Sequence, residues 1–140
     1  MQRVLSASVS VKDRVVGKIG PGMLVLLGFS KEDTSPKIDY FAEKLVHLRI
    51  FSDDLGKMNK SLLDVDGEIL IVSQFTLYGS CQNGRRPDFG MAMEPKQARI
   101  LYERFLEAVR AWKCPVEAGV FGEYMRVCME GDGPVTLLME

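Results

Sequence analysis

Histidine occurs once in the chain, at His47, and cysteine three times, at Cys81, Cys114 and Cys128. These shortages exclude whole classes of chemistry. A Ser-His-Asp or Cys-His hydrolase needs an imidazole beside its nucleophile. The only imidazole falls in a helical pattern, opposite the apolar face, and so points away from the core. The cysteines are odd in number and widely spaced, which fits reduced thiols better than a disulfide framework. No Cys-x-x-Cys pair is present, so a zinc cluster is not expected.

An excess of either charge is also missing. Lys and Arg total 18 against 19 Asp and Glu, for a net charge of −1. No general basic field attracts nucleic acid, so such binding must rest on a local patch. No apolar run approaches the roughly 20 residues of a membrane helix. No secretory leader is visible behind Met1-Gln2-Arg3-Val4, and a cytoplasmic location is the expectation. What is present is an ordinary 46% of hydrophobic residues in 140, enough for one domain spanning 1–140. There are no internal repeats and no low-complexity tracts.

The most informative stretch is Gly67-Glu68-Ile69-Leu70-Ile71-Val72-Ser73-Gln74-Phe75-Thr76-Leu77. Its apolar run reads as a strand buried on both faces, central in a sheet. Ser73, Gln74 and Thr76 then arrive at the strand end, where a rigid element can present them as a site. They can equally well satisfy nearby backbone groups. Around this stretch, residues 2–11 and Val15–Val16 read as strands, and Gly20-Pro21-Gly22 as a turn. Met23–Phe29 reads as a second central strand. Ser35-Pro36 suits a helix N-cap and first turn. The helix that follows places Ile38, Phe41, Ala42, Leu45 and Leu48 on one face.

Leu48–Phe51 reads as a short strand, and residues 52–59 as a turn. Asp53 and Asp54 raise the thought of a metal loop, but the later acidic ligands of a calcium loop are missing. Residues 79–94 form a long connection, a length that signals either function or disorder. Its Arg85-Arg86 pair is a candidate phosphate contact or simply a solvated pair. Pro95 opens a strong helix with Ala98, Leu101, Tyr102, Phe105, Leu106, Val109 and Trp112 on its apolar stripe, Trp112 being read as core. Strands at 116–118 and 124–129, a turn at Gly131-Asp132-Gly133-Pro134 and a closing run from Val135 to Met139 complete the chain. Alternating strands and helices indicate an α/β or α+β domain with helices on one side of the sheets.

Ordered local sequences point further. Ser73-Gln74-Phe75-Thr76-Leu77 and Gly133-Pro134-Val135-Thr136 resemble the two signature motifs of D-aminoacyl-tRNA deacylases. Gln2-Arg3-Val4, Gly17 to Gly22, Leu48 to Phe51 with Gly56 to Asn59, and Arg86-Pro87 with Phe89 are similar to further shared blocks. The resemblance spans the chain and implies a three-layer α/β/β fold with mixed sheets and two main helices on one side. It implies hydrolysis of the ester between a D-amino acid and tRNA, with glycyl-tRNA a further substrate. The same resemblance implies a homodimer with the site at the interface. There Gly133 and Pro134, joined by a cis bond, reach into the partner's site and block L side chains, and Arg3 helps hold that loop. It also implies that Ser73, Gln74, Phe75, Phe89 and Met125 bind substrate, with Thr76 catalytic, and that no metal or cofactor takes part.

An aminoacyl ester is an activated bond, so positioning and oxyanion donors suffice. Backbone N–H groups near Gln74 to Thr76 are candidate donors. Thr76 is a candidate nucleophile; the resemblance implies another route, favoured by the badly placed histidine, in which the RNA's own 2′-hydroxyl assists attack and the protein mainly positions. The chain departs from the family pattern at Asp88, Gly90 and Gly79-Ser80-Cys81. Its first strand reads as several residues short, which would weaken the sheet edge that supports Arg3.

Overall fold

The computed structural model describes residues 1–140, the side chain of Pro36 excepted. Eight strands and two α-helices follow one another as β1 (Gln2–Val11), β2 (Arg14–Ile19), β3 (Gly22–Leu27), α1 (Pro36–His47), β4 (Phe51–Ser52), β5 (Met58–Lys60), β6 (Glu68–Ser73), a 3-10 helix (Phe75–Tyr78), α2 (Pro95–Arg110), β7 (Val116–Ala118) and β8 (Arg126–Thr136). The main sheet runs β2-β1-β3-β6-β7, and β8 pairs with the other edge of β1. β3, β6 and β7 are mutually parallel, while β1 is antiparallel to β2, β3 and β8.

The alternation of side chains along β6 builds the layers. Ile69 and Ile71 face the helices and join Met23, Val25, Leu45 and Phe105 in one core. Leu70 and Val72 face the opposite way and meet Val4, Val9, Ile19 and Leu24 from the layer of β1 and β2. The fold is thus three layers, α/β/β, as the sequence resemblance implies. β2 lies close over β6 and β7 because Gly17 has no side chain. A methyl there would sit 3.0 Å from the Ala118 carbonyl oxygen and 3.1 Å from Leu70 Cδ1. No helix among the described residues is long and apolar enough to cross a membrane.

Several readings of the sequence need correction. Ser35 precedes α1 but makes no side-chain cap; its backbone is already helical and its hydroxyl instead accepts from Arg104 of α2. Leu48–Ile50 is not a strand, because the N–H of Leu48 closes the helix on Leu45 and the Ile50 carbonyl accepts from Arg3. Only Phe51–Ser52 pairs, with β5, a strand that sequence patterning missed. Trp112 lies past the end of α2, 37% exposed, with its ring edge-on to His47 at 4.7 Å rather than in the core. Val46, by contrast, is wholly buried.

Asp53 is a turn residue. Its Oδ1 accepts from the N–H groups of Leu55 and Lys57, and its Oδ2 from Asn59. The Lys57 and Asn59 bonds hold its carboxyl below the usual range. No metal-holding cluster exists among the described residues.

At the C-terminus, Gly131–Pro134 does not end one strand and start another. β8 runs through it. Two steps along β1, from Gln2 to Val4, face five along β8, from Gly131 to Thr136, so the excess residues bulge out of the ladder. The first strand is also not short of support. The Met1 amino group donates to the Leu137 carbonyl and the Leu137 N–H returns to Met1.

α2 is fastened to the central strand by a buried hydrogen bond from Tyr102 Oη to the Ile71 carbonyl, 2.8 Å. Burial pushes the Tyr102 hydroxyl up to about 12. Ionisation is therefore easier in the unfolded chain, near its ordinary value of about 10. The stabilisation is complete below about pH 10 and is lost as pH rises through 12. Tyr102→Phe should cost about 1 kcal/mol at neutral pH. In urea unfolding, the gap between the two proteins should shrink from pH 10 to 12; a constant gap would contradict this.

Candidate functional site

The site begins where β6 ends. Ser73, half-buried, is its last paired residue, opposite Leu27 of β3. The N–H of Gln74 donates to the Leu27 carbonyl at 2.7 Å, and the chain then turns into the 3-10 helix. Thr76 is thus presented by a tight turn fixed to the sheet, not by the strand itself. The turn packs on Gly28. A methyl at that position would lie 2.7 Å from the Gln74 carbonyl oxygen and 3.3 Å from Leu77 Cβ. Neither atom can yield without unwinding the turn.

Thr76 is exposed, and its Oγ1 accepts a hydrogen bond from Gln74 Nε2. Phe75 is exposed and meets Phe89 edge to face, ring centroids 5.1 Å apart. Phe89 is brought there by the long connection, which folds back on itself through paired backbone bonds between Ser80 and Asp88. Gly79 makes the room: a methyl there would be 2.8 Å from Phe89 Cε1. Of the proposed donors, the Gln74 N–H is already taken by Leu27. Those of Phe75 and Thr76 open the turn and have no acceptor within it.

Met125 arrives from the other side. It packs on Val72 and Leu24's core, and its sulfur occupies the space that a methyl on Gly119 would claim, 2.6 Å away. The intervening segment is held by α2. The Gly119 N–H donates to the same Ile71 carbonyl that receives Tyr102. Arg99 sits 5.2 Å from the Phe121 ring and donates to its carbonyl at 3.4 Å. Sequence reading missed Gly28, Gly79, Gly119 and Tyr102. The available signal was a glycine directly after an apolar run, at Gly28.

The remaining predicted residues lie elsewhere. Gly133 and Pro134 are exposed on β8, joined by a cis bond, with φ of +126° at Gly133. Arg3 is beneath them, 9% exposed. Its Nε pairs with Asp132 Oδ2 at 2.9 Å and donates to the Asp132 carbonyl at 3.2 Å; another guanidinium N–H reaches the Ile50 carbonyl at 2.6 Å. Arg85 and Arg86 are exposed and form no ion pair among the described residues. Asp88 is not a stray charge: its Oδ1 accepts from the Gly90 N–H at 2.7 Å, and a side chain at 90 would collide with that oxygen. The two departures from the family pattern belong to one turn. His47 is exposed on α1, its Nδ1 against the Glu43 carbonyl at 2.9 Å.

Arg3→Met should leave the Ile50 carbonyl and the Asp132 segment without their partner. A loss of about 1–3 kcal/mol in stability is expected. Amide exchange should rise selectively over residues 131–134; uniform protection there would show that Arg3 does not hold this segment.

The whole chain, residues 1–140, matches the family model described as D-Tyr-tRNA(Tyr) deacylase. A protein named D-aminoacyl-tRNA deacylase from Thermosipho melanesiensis is 53% identical over 141 residues, covering 100% of this chain and 94% of its own. A Fervidobacterium nodosum protein of the same name is 54% identical over 140 residues with the same coverage. Among solved structures, one titled c-Myc DNA Unwinding Element Binding Protein superposes with a TM-score of 0.92 at 43% identity, covering 99% of this chain and 95% of that one. Another, titled as a probable eukaryotic D-amino acid tRNA deacylase, shares the fold with a TM-score of 0.82 at 22% identity, covering 95% and 92%. A match over the full length, at more than half identity to two relatives of that name, puts this chain in the D-aminoacyl-tRNA deacylase family.

Proposed function

We propose that the protein hydrolyses the ester of D-aminoacyl-tRNA, releasing the D-amino acid and tRNA, and that glycyl-tRNA is a further substrate. The observation that carries this reading is the arrangement at Thr76. An exposed hydroxyl is held by Gln74 on a tight turn that also carries Phe75, paired with Phe89, and two turn-opening N–H groups. No imidazole or carboxylate touches that hydroxyl among the described residues, and its hydrogen-bond partner, the Gln74 amide N–H, is a donor and not a base. Such a site positions an activated ester and its oxyanion. The attack is then assisted by the substrate's own 2′-hydroxyl.

Rejection of L substrates is assigned to Gly133 and Pro134 of a second copy. Within one chain, β8 pairs with β1 and not with β6, and the nearest groups around Gly133 belong to Val135 and Arg3, not to the Thr76 turn. A chain's own Gly133 therefore does not serve its own Thr76. The surface for a second copy is present. Val127 and Met129 of β8 pair with the buried Val9 and Ala7 of β1 and share their face, yet both are exposed. An uncovered apolar extension of a core face on an edge strand is what a homodimer would bury. Exposed Arg85 and Arg86 are assigned the contact with RNA phosphates in this reading.

A second reading, a binding module without turnover, draws on the DNA-binding title of one structural relative. The net charge of −1 gives no general field for a duplex.

Purified protein should release amino acid from D-charged tRNA and spare the matched L-charged tRNA. Equal cleavage of both, or binding without release, would refute the proposal. Thr76→Ala should retain measurable activity if the RNA hydroxyl does the chemistry; complete loss with the fold intact would make threonine the nucleophile. Pro134→Ala should admit L-aminoacyl-tRNA, and unchanged selectivity would remove this loop from chiral reading.

A further inference from the structure

A cavity of about 290 Å³ lies on the helix side of the sheet, behind the turn that carries Thr76. Leu27 and Gly28, which support the Thr76 turn from behind, line it, but none of the side chains assigned to substrate at the strand end does. Its walls are apolar: Leu27, Phe29, Ile38, Phe41, Leu101 and Phe105. Its rim is not. Asp33 and Lys37 come from the start of α1, Tyr78 from the 3-10 helix, and Glu140 from the C-terminal segment.

The rim carries both signs of charge, and its one ion pair is long and partly exposed. Lys37 Nζ is 3.8 Å from Asp33 Oδ1, with 57% of the lysine side chain exposed. Asp33 spends Oδ2 on the Ser30 N–H at 2.8 Å, which fixes the carboxylate in place and leaves Oδ1 on the Lys37 side. The Tyr78 hydroxyl is pushed up by burial and then by the charges of Asp33 and Glu140, so both carboxylates lie on its side of the rim.

We propose that this cavity binds a free amino acid with an apolar side chain. The side chain enters among the rings of Phe41 and Phe105. The α-carboxylate meets Lys37 and the α-ammonium meets Asp33 and Glu140. The volume is at the lower end for ligand pockets, which suits a molecule of this size. A nucleotide is a poorer match, since its phosphate would face two carboxylates. The compound class is the one that ester hydrolysis releases. Only that link rests on the deacylase reading; the binding does not.

The test uses the intact protein, without tRNA, and D-phenylalanine as probe. Calorimetric titration should show saturable binding. Amide shift changes should centre on Ile38, Phe41 and Phe105. Leu101→Trp, which fills the cavity, and Lys37→Gln, which removes the cation, should each weaken binding at least about tenfold. Phenethylamine, lacking the carboxylate, should bind more weakly by a similar factor. Leu101→Trp should leave the deacylation rate constant unchanged. Should that variant not fold, Lys37→Gln and phenethylamine carry the test. No saturable binding, shifts centred on Phe75, Phe89 and Met125, indifference to Lys37→Gln, or displacement by AMP would overturn the proposal. Binding in a protein that fails to deacylate would overturn only the activity.

Discussion

The rest of the structure hangs on the parallel pairing of β3 with β6. Both strands are covered on both faces, so neither can slide by one residue without turning Ile69 and Ile71 toward the wrong layer. Both ends are also fixed by close approach. At the start, a methyl on Gly22 would lie 1.8 Å from the Glu68 carbonyl oxygen. At the finish, Gly28 accepts the Gln74 turn in the same way. The place where β6 stops is therefore set by the core, and the exposed side chains that follow inherit that precision. A loop alone would not confer it.

The same logic extends sideways from β6. The Ile71 carbonyl accepts from both Tyr102 and Gly119, so one buried acceptor ties helix, strand and the segment leading to Met125. Two donors on one carbonyl use both of its lone pairs and leave nothing unsatisfied in the core. Without that link, Met125 would depend on exposed contacts. The Arg99–Phe121 contact then adds a lesser restraint from the surface side.

The sequence made the layers legible because period-2 and period-3.6 patterns report burial, and burial is what the cores of this protein consist of. The apolar runs at 23–29 and 69–72 and the stripe of α2 are cases of that rule. Trp112 broke it because periodicity does not say where a helix stops; two residues past Arg110 the stripe meets the exposed His47 of α1 instead of the core. β5 and the bulge at Gly133 were invisible for a different reason. Both are set by a partner strand, through register, and no local pattern encodes a distant register. Ser73, Gln74 and Thr76 stood out as a polar cluster at a strand end, whereas Phe89, Met125, Gly133 and Pro134 entered only by resemblance. The glycines that make room for them were not legible, since a glycine's role lies in what approaches it.

Arg3 shows how a bulged, exposed loop can still act as a rigid wall. The excess residues opposite Gln2–Val4 have lost regular ladder bonds, which by itself would make them mobile. Arg3 replaces those bonds from below, with a guanidinium that spans the Asp132 carboxylate, the Asp132 carbonyl and the Ile50 carbonyl. The guanidinium is planar and its donors are fixed relative to one another, so three acceptors locate it and the loop together. Gly133, at positive φ and 3.2 Å from that guanidinium to any added methyl, has no room to change residue type. In the proposed reading this is what chirality requires. The D and L forms differ by exchanging a hydrogen and a side chain at one carbon. A yielding apolar pocket separates such shapes weakly, whereas main chain with no path of retreat does so by exclusion.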